Sequence, residues 1–217
     1  MSNFSNLVPT ILEKGVDHVD LSMFDLETRD RILNDVGSEL VKKGRLSEAL
    51  RIFTTTRNRQ MLVRVGDEFR RMSNISSAVD AYVLAGDTER LREVGEKSLK
   101  EGAMSTAVKA FKALGDSEKL AIVGELCVEK SKFDTAIEVF NILGNRAKLS
   151  EIGEACFKEN QYSLAANAFH KAGDRDNLSR LGDFWLKEGQ ANNARLAYEL
   201  AGNQTMVNFI KQNFGDG

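Results

Sequence analysis

The chain of 217 residues carries a formal net charge of −2 and has a sequence pI near 5.8. This balance argues against nucleic acid or an anionic membrane as the main partner, because both are bound chiefly through an excess of Lys and Arg. No stretch approaches the roughly 20 apolar residues that a membrane helix needs, and residues 1–10 lack the basic start and apolar run of a signal peptide. We therefore expect a cytoplasmic protein without membrane insertion.

The sequence repeats itself at an offset of 29 residues. A column here means the equivalent positions of successive repeats, and four columns are each filled six times without a gap. The leucine column consists of Leu33, Leu62, Leu91, Leu120, Leu149 and Leu178. The glycine column consists of Gly37, Gly66, Gly95, Gly124, Gly153 and Gly182. The alanine column consists of Ala49, Ala78, Ala107, Ala136, Ala165 and Ala194. The aromatic column consists of Phe53, Tyr82, Phe111, Phe140, Phe169 and Tyr198.

The predicted elements follow one another along the chain as two caps around six repeats. Residues 1–29 are expected to form a degenerate N-terminal capping segment, because Phe24 falls in the aromatic column but Asp20 replaces the alanine. The six repeats are residues 30–58, 59–87, 88–116, 117–145, 146–174 and 175–203. Residues 204–217 hold a C-terminal capping helix, predicted over residues 204–214 with Val207 and Ile210 in register.

Each repeat is predicted to contain two helices, A and B. In repeat 88–116, small and apolar residues at helical spacing predict helix A over residues 88–101, and Gly102 ends it. Ser105 is predicted to be the N-cap of helix B, because its column holds only preferred N-cap types: Ser47, Ser76, Ser105, Asp134, Ser163 and Asn192. Helix B then ends at Gly115, and Asp116 is placed to cap the next helix A.

The glycine column lies inside helix A, where glycine costs about 1 kcal/mol relative to alanine. Six glycines at one position therefore indicate that a neighbouring element approaches too closely for a side chain. We expect the alanine column of helix B to be that neighbour, with the aromatic residue four positions later filling the space beside it.

In repeat 88–116 a leucine, a small aliphatic residue and a glycine are followed by a second glycine, an alanine, an aromatic residue and a further apolar residue. These are Leu91, Val94, Gly95, Gly102, Ala107, Phe111 and Leu114. Their spacing resembles the tetratricopeptide repeat, and the match covers residues 30–214. The resemblance implies an all-α fold, a right-handed α-solenoid of six helix-turn-helix repeats with degenerate N-terminal and C-terminal capping helices. The repeat is shorter than the usual 34 residues and lacks the terminal proline. Helical hairpins of this length are also similar to those of vesicle-coat and intraflagellar-transport subunits.

The sequence offers no residues for catalysis, cofactor binding or metal binding. It contains two histidines, His18 and His170, and none of the motifs H-E-x-x-H, Walker A or G-x-S-x-G. Cys127 and Cys156 share one column with Leu40, Phe69, Ser98 and Trp185, which favours a role as buried fillers over a disulfide or a metal site. We therefore expect neither an enzyme nor a cofactor.

Tetratricopeptide-like proteins bind partners mainly on the concave face lined by helix A, which here carries positions 2, 5, 9, 12 and 13 of each repeat. The candidate partner-binding residues are Arg92, Glu96, Leu99, Lys100, Glu125, Val128, Glu129, Glu154, Phe157 and Asp183. Position 9 is acidic in five of the six repeats. The simpler alternative is that positions 9 and 13 form i,i+4 ion pairs along a solvated helix.

These positions carry an excess of three negative charges in repeats 88–116 and 117–145, so a partner with a basic segment is expected. Three function classes remain open. The first is a protein-interaction scaffold or adaptor, the second is a structural subunit of a transport or coat assembly, and the third is a helical-repeat sensor of a small ligand or nucleic acid. Homo-oligomerisation is compatible with all three.

Overall fold

Every regular element between residues 7 and 215, the part of the chain that the computed structural model describes, is a helix. The predicted all-α solenoid fold is confirmed. The chain divides after Gly115 into two compact units. The first unit contains α1 (Leu7–Lys14), a 3₁₀ helix (Val16–His18), α2 (Leu26–Lys42), α3 (Leu46–Thr55), α4 (Arg59–Arg71), α5 (Ile75–Ala85), α6 (Thr88–Lys100) and α7 (Met104–Leu114). The second contains α8 (Ser117–Glu129), α9 (Phe133–Ile142), α10 (Arg146–Lys158), α11 (Tyr162–Ala172), α12 (Arg175–Lys187), α13 (Ala191–Ala201) and α14 (Gln204–Phe214).

Within each unit, successive helices form antiparallel pairs of a helix A and a helix B. In the first unit α2 packs on α3, α4 on α5 and α6 on α7, and α3 and α5 also contact the next helix A, α4 and α6 respectively. The second unit repeats this arrangement from α8 to α13, and α14 closes it against α13. Of the helices described between residues 7 and 215, none has the length and apolar content needed to cross a bilayer.

From the second repeat onward, helix A begins where the sequence predicts, because an Asn or Asp side chain caps it. In the repeat that starts at Thr88, a carboxylate oxygen of Asp87 accepts a hydrogen bond from the backbone N–H of Arg90 at 2.9 Å. The same bond is made at the start of the other helices A and of α14, by Asn58, Asp116, Asn145, Asp174 and Asn203. Each bond satisfies one of the free N–H groups of the first turn.

The predicted N-cap of helix B is wrong. Helix α7 begins at Met104, one residue before Ser105, and its N-cap is Ala103, whose side chain makes no cap hydrogen bond. Gly102 adopts φ 74°, and the Ala103 N–H donates to the Ser98 carbonyl at 2.8 Å, so the chain turns tightly from one helix into the next. Met104 is thereby buried as the first residue of helix B, and the whole Ser105 column falls at the second helical position.

The glycine column makes room for the aromatic column, not for the alanine column as expected. A Cβ atom placed on Gly95 would lie 2.8 Å from a ring carbon of Phe111, and one on Gly153 would lie 2.5 Å from two ring carbons of Phe169. In all six repeats the nearest atoms belong to the aromatic residue, and the alanine column is never among them. The ring therefore lies directly across the backbone of helix A.

The core of each unit is built from these columns. All six members of the alanine column are fully buried, and the aromatic column is at most 2% exposed. Apart from the tyrosine hydroxyls and cysteine thiols of the core, Ser98 is the single buried polar residue among those described, and none of the buried side chains is charged.

At its start, helix A of the first repeat is longer than the repeat pattern indicates. Asp25 accepts a hydrogen bond from the Thr28 N–H, so α2 begins at Leu26 instead of near Asp30. Phe24 therefore precedes an N-cap and does not belong to a helix B, although the sequence places it in the aromatic column.

Candidate protein-binding surface

All ten candidate residues remain accessible on helices A. In the first unit, α6 presents Arg92 and Lys100 to solvent and holds Glu96 and Leu99 half-buried. In the second unit the candidates lie on three helices. These are Glu125, Val128 and Glu129 on α8, Glu154 and Phe157 on α10, and Asp183 on α12. We call these ten residues the candidate surface, and each unit carries its own part of it.

The position-9 carboxylates bind cations of the next helix A. Glu125 on α8 lies 3.1 Å from the Lys148 Nζ on α10, and Glu154 on α10 accepts two hydrogen bonds, at 2.9 and 3.0 Å, from the Arg180 guanidinium on α12. Lys158, the i,i+4 neighbour of Glu154, has no ion-pair partner among the described residues. The i,i+4 alternative is therefore wrong here, and the pairs connect neighbouring repeats.

Asp183 is hydrogen-bonded to Tyr198, a buried residue of its own repeat. The buried Tyr198 hydroxyl donates to an Asp183 carboxylate oxygen at 2.6 Å, and Tyr82 donates to Asp67 at 2.8 Å in the first unit. Burial, followed by the bond to aspartate, raises the pKa of both tyrosines well above their usual range. Position 9 is Asp only in the two repeats whose aromatic residue is Tyr. This Asp–Tyr covariation at a spacing of 15 residues was the signal available in the sequence.

Several charged positions of the helix-A face remain without an ion pair among the described residues. Arg92 and Lys100 on α6, and Glu118 and Glu129 on α8, are exposed and make no ion pair within the described chain. Leu99 and Val128, at position 12, lie half-buried one residue before Lys100 and Glu129. Each unit can therefore offer an external ligand free charges beside an apolar side chain.

Phe157 lies within an aromatic cluster. Its ring contacts those of Tyr162 and Phe184 edge-on, each with centroids 5.5 Å apart, and the Tyr162 and Phe184 rings are 4.6 Å apart. The Arg180 guanidinium lies 5.2 Å from the Phe157 ring centre, within cation–π range. Tyr162, Phe184 and Arg180 were missed because they lie outside the five positions assigned to the helix-A face.

The two cysteines are free and fully buried, as predicted. Burial raises the pKa of the Cys127 thiol, and it raises that of Cys156 to about 11 from an ordinary 9.0. A buried thiol with a raised pKa is a poor nucleophile, which agrees with a role in packing.

This predicts a shift in alkylation with pH. Because the folded protein favours the neutral Cys156 thiol, this group's contribution to the free energy of unfolding is complete below about pH 9. The contribution is lost as the pH rises towards 11. Iodoacetamide should label Cys156 in the urea-unfolded chain as the pH passes 9, but in the folded chain only near pH 11. Peptide mass spectrometry measures both rates, and equal rates at pH 8 would contradict the buried placement.

The structure shows no arrangement of metal ligands in the part of the chain that it describes. No group of three or more His, Cys, Asp and Glu side chains between residues 7 and 215 is positioned to hold a metal ion. His18 follows α1 and His170 lies on α11, and both are exposed.

Comparison with known proteins finds matches among solved structures. No family model matches the chain, and no curated protein matches it. A solved structure described as a circular tandem repeat protein with novel repeat topology and enhanced subunit contact surfaces matches with 14% identity and a TM-score of 0.26. The match covers 95% of this chain and 54% of that one, so this chain spans about half the length of its structural neighbour. At this TM-score the similarity bears on neither function nor partner.

Proposed function

We propose that this protein is a non-enzymatic interaction scaffold of the tetratricopeptide-like type, which binds a segment of another protein on its helices A in the cytoplasm. The observation that carries the proposal is a pair of adjacent positions on α6 and α8. There position 12 holds a half-buried apolar side chain, and position 13 holds an exposed charge without an ion pair among the described residues. None of the described charged side chains is buried, so the groups that can meet a partner lie on the helix surfaces.

The second unit favours a basic partner segment. On α8, Glu118 and Glu129 are exposed and unpaired, and Glu125 is half-exposed although Lys148 binds it. Opposite charge on a partner would steer association, with an effect that weakens as salt shortens the Debye length to about 8 Å at physiological ionic strength. Because position 9 is already paired, the unpaired acids at positions 2 and 13 are better placed to meet a new partner.

The test compares two charge reversals within one hairpin. Glu118→Lys with Glu129→Lys changes helix α8, and Asp134→Lys with Glu138→Lys changes helix α9 by the same charge. Glu118 and Asp134 are both the second residue of their helices, so the loss of a first-turn acid is matched, whereas Glu129 ends α8 and Glu138 lies within α9. All four residues are exposed and have no ion pair within the described chain.

We expect the α8 variant to lose partner capture in affinity purification with mass spectrometry, and the α9 variant to keep it. With a purified partner, association to the α8 variant should slow by about tenfold or more and lose its salt dependence, since steering can raise on-rates by 10-fold to 1,000-fold. Loss of capture by the α9 variant alone would move the working surface to helix B.

One observation favours a second candidate, a structural subunit of a larger assembly such as a coat. Phe214 on α14 occupies the column of Leu40, Phe69, Cys127 and Cys156, which are all buried, yet it is 56% exposed. Leu196 and Leu200 on α13 are also 52% and 42% exposed. Exposed apolar residues one helical turn apart, as Leu196 and Leu200 are, are typical of a surface that another protein covers. A complex that stays intact in size-exclusion chromatography with light scattering would favour this candidate over transient peptide binding.

A further inference from the structure

Two places in the molecule are equivalent by repeat but differ in what fills them. In the second unit, the rings of Phe157, Tyr162 and Phe184 pack together where side chains of α10 and α12 meet. In the first unit the residues 87 positions earlier, which is three repeats, are Arg70, Ile75 and Lys97. The same backbone arrangement therefore carries one aliphatic and two long cationic side chains instead of three rings.

At that place the first unit has an open cleft of about 440 Å³ between α4 and α6. The side chains that line this space explain why it is not filled. Lys97 extends to solvent with 70% of its side chain exposed, and the half-buried Arg70 bonds Glu93 at 3.0 Å, so neither fills the space between the helices as a ring does. Ser98 lines the cleft where the equivalent residue of the second unit is Trp185, so the inner wall is also short of volume.

The chemistry of the cleft favours an apolar ligand. Its inner wall is formed by Ile75, Val94 and Ser98, the last two only 4% and 3% exposed. Its rim carries three acids and three bases, and each is ion-paired, either within the rim or with Glu68 or Arg90. The pairs include Arg70 with Glu93 at 3.0 Å and Lys97 with Glu101 at 3.8 Å. With no excess of either sign, the rim selects neither an anion nor a cation.

We propose that this cleft binds one aromatic side chain of a partner protein, in the place that the protein's own rings occupy in the second unit. Its volume lies within the roughly 300–1,000 Å³ of small-ligand sites. The residue equivalent to Arg180 is Glu93, but the guanidinium of Arg70, which bonds Glu93 at the mouth, can stack on the incoming ring in the kind of contact that Arg180 makes with Phe157. The partner segment is thus anchored by a Phe, Tyr or Trp, and the paired charges of the rim meet its backbone.

The test uses a defined probe and the full chain. N-acetyl-L-tryptophanamide is titrated into ¹⁵N-labelled protein, and the amide shifts of Ile75, Val94 and Ser98 are followed by NMR. We expect saturable shifts centred on these residues, with at least tenfold weaker binding of N-acetyl-L-alaninamide, which has the same backbone without the ring. Ser98→Trp, which places the residue of the equivalent position in the cleft, should abolish the response.

Two further variants make the result decisive. Ser105→Trp adds the same ring at an exposed position of α7 and should leave the titration unchanged. Lys97→Phe places a ring at the position equivalent to Phe184. Because Lys97 is exposed, this variant should fold and close the cleft even if Ser98→Trp does not fold.

The proposal is overturned if both probes bind alike, or if both cleft variants keep the response. It is also overturned if the wild type forms a dimer that Ser98→Trp dissociates, since a second copy then occupies the cleft. The probe needs no partner, so failure here leaves the scaffold test on α8 unaffected.

Discussion

Phe111→Ala is expected to lower the free energy of unfolding by about 3–5 kcal/mol, the cost of removing a buried Phe side chain. The Phe111 ring is fully buried, and its edge lies where a side chain of Gly95 would otherwise be. Truncation removes the contact of the Phe111 ring with α6 and leaves a cavity. The backbone of α6 cannot move inward far enough to fill that cavity. Urea unfolding followed by far-UV circular dichroism measures the loss.

The control for this prediction is Phe214→Ala. Phe214 is an aromatic residue near the end of α14 with 56% of its surface exposed, and it lies outside the aromatic column. Because most of its surface is already in water, its truncation should cost about 0.5 kcal/mol, as is usual for surface substitutions. Similar losses for the two variants would show that the aromatic column does not hold the helix pairs together.

The parts of the fold that local rules decide were predictable from the sequence. Helix A starts at an Asn or Asp cap and ends at a residue with positive φ, and both features need only a few neighbouring residues. The start of helix B depends on burial instead. The tight turn at Gly102 leaves room for one residue before the helix, and Met104 is then buried as its first residue. The polar column at Ser105 had the chemistry of an N-cap, but tertiary packing fixed the helix one residue earlier.

The candidate surface was predicted only in part, because its electrostatics depend on neighbouring repeats. Helical spacing correctly indicated an accessible face, since every candidate residue is half-buried or exposed. It did not indicate which charges are already used. Glu154 binds Arg180, 26 residues away, and Asp183 binds Tyr198 of its own repeat. Such pairs need knowledge of how consecutive helices A align, and a single-helix pattern does not contain it.

The same dependence on neighbours decides the last prediction, which concerns Gly153. Replacing Gly153 by Leu should destabilise the second unit by about 3 kcal/mol, the upper end of the usual cost of overpacking. The Cβ atom alone would lie 2.5 Å from two ring carbons of Phe169, and the ring is 1% exposed with no space to move. Helix propensity acts in the opposite direction, because Leu is favoured over Gly by somewhat less than 1 kcal/mol, so a net loss can come only from the clash.

Ala147→Leu is the control, since it adds a side chain at an exposed position of the same helix α10 and should change stability by less than about 0.5 kcal/mol. A double-mutant cycle with Phe169→Ala then isolates the contact. In the Phe169→Ala background the ring is gone, so Gly153→Leu should cost far less than in the wild type, with a coupling of about 2 kcal/mol between the two sites. If the costs add without coupling, the glycine column does not exist to admit the aromatic ring.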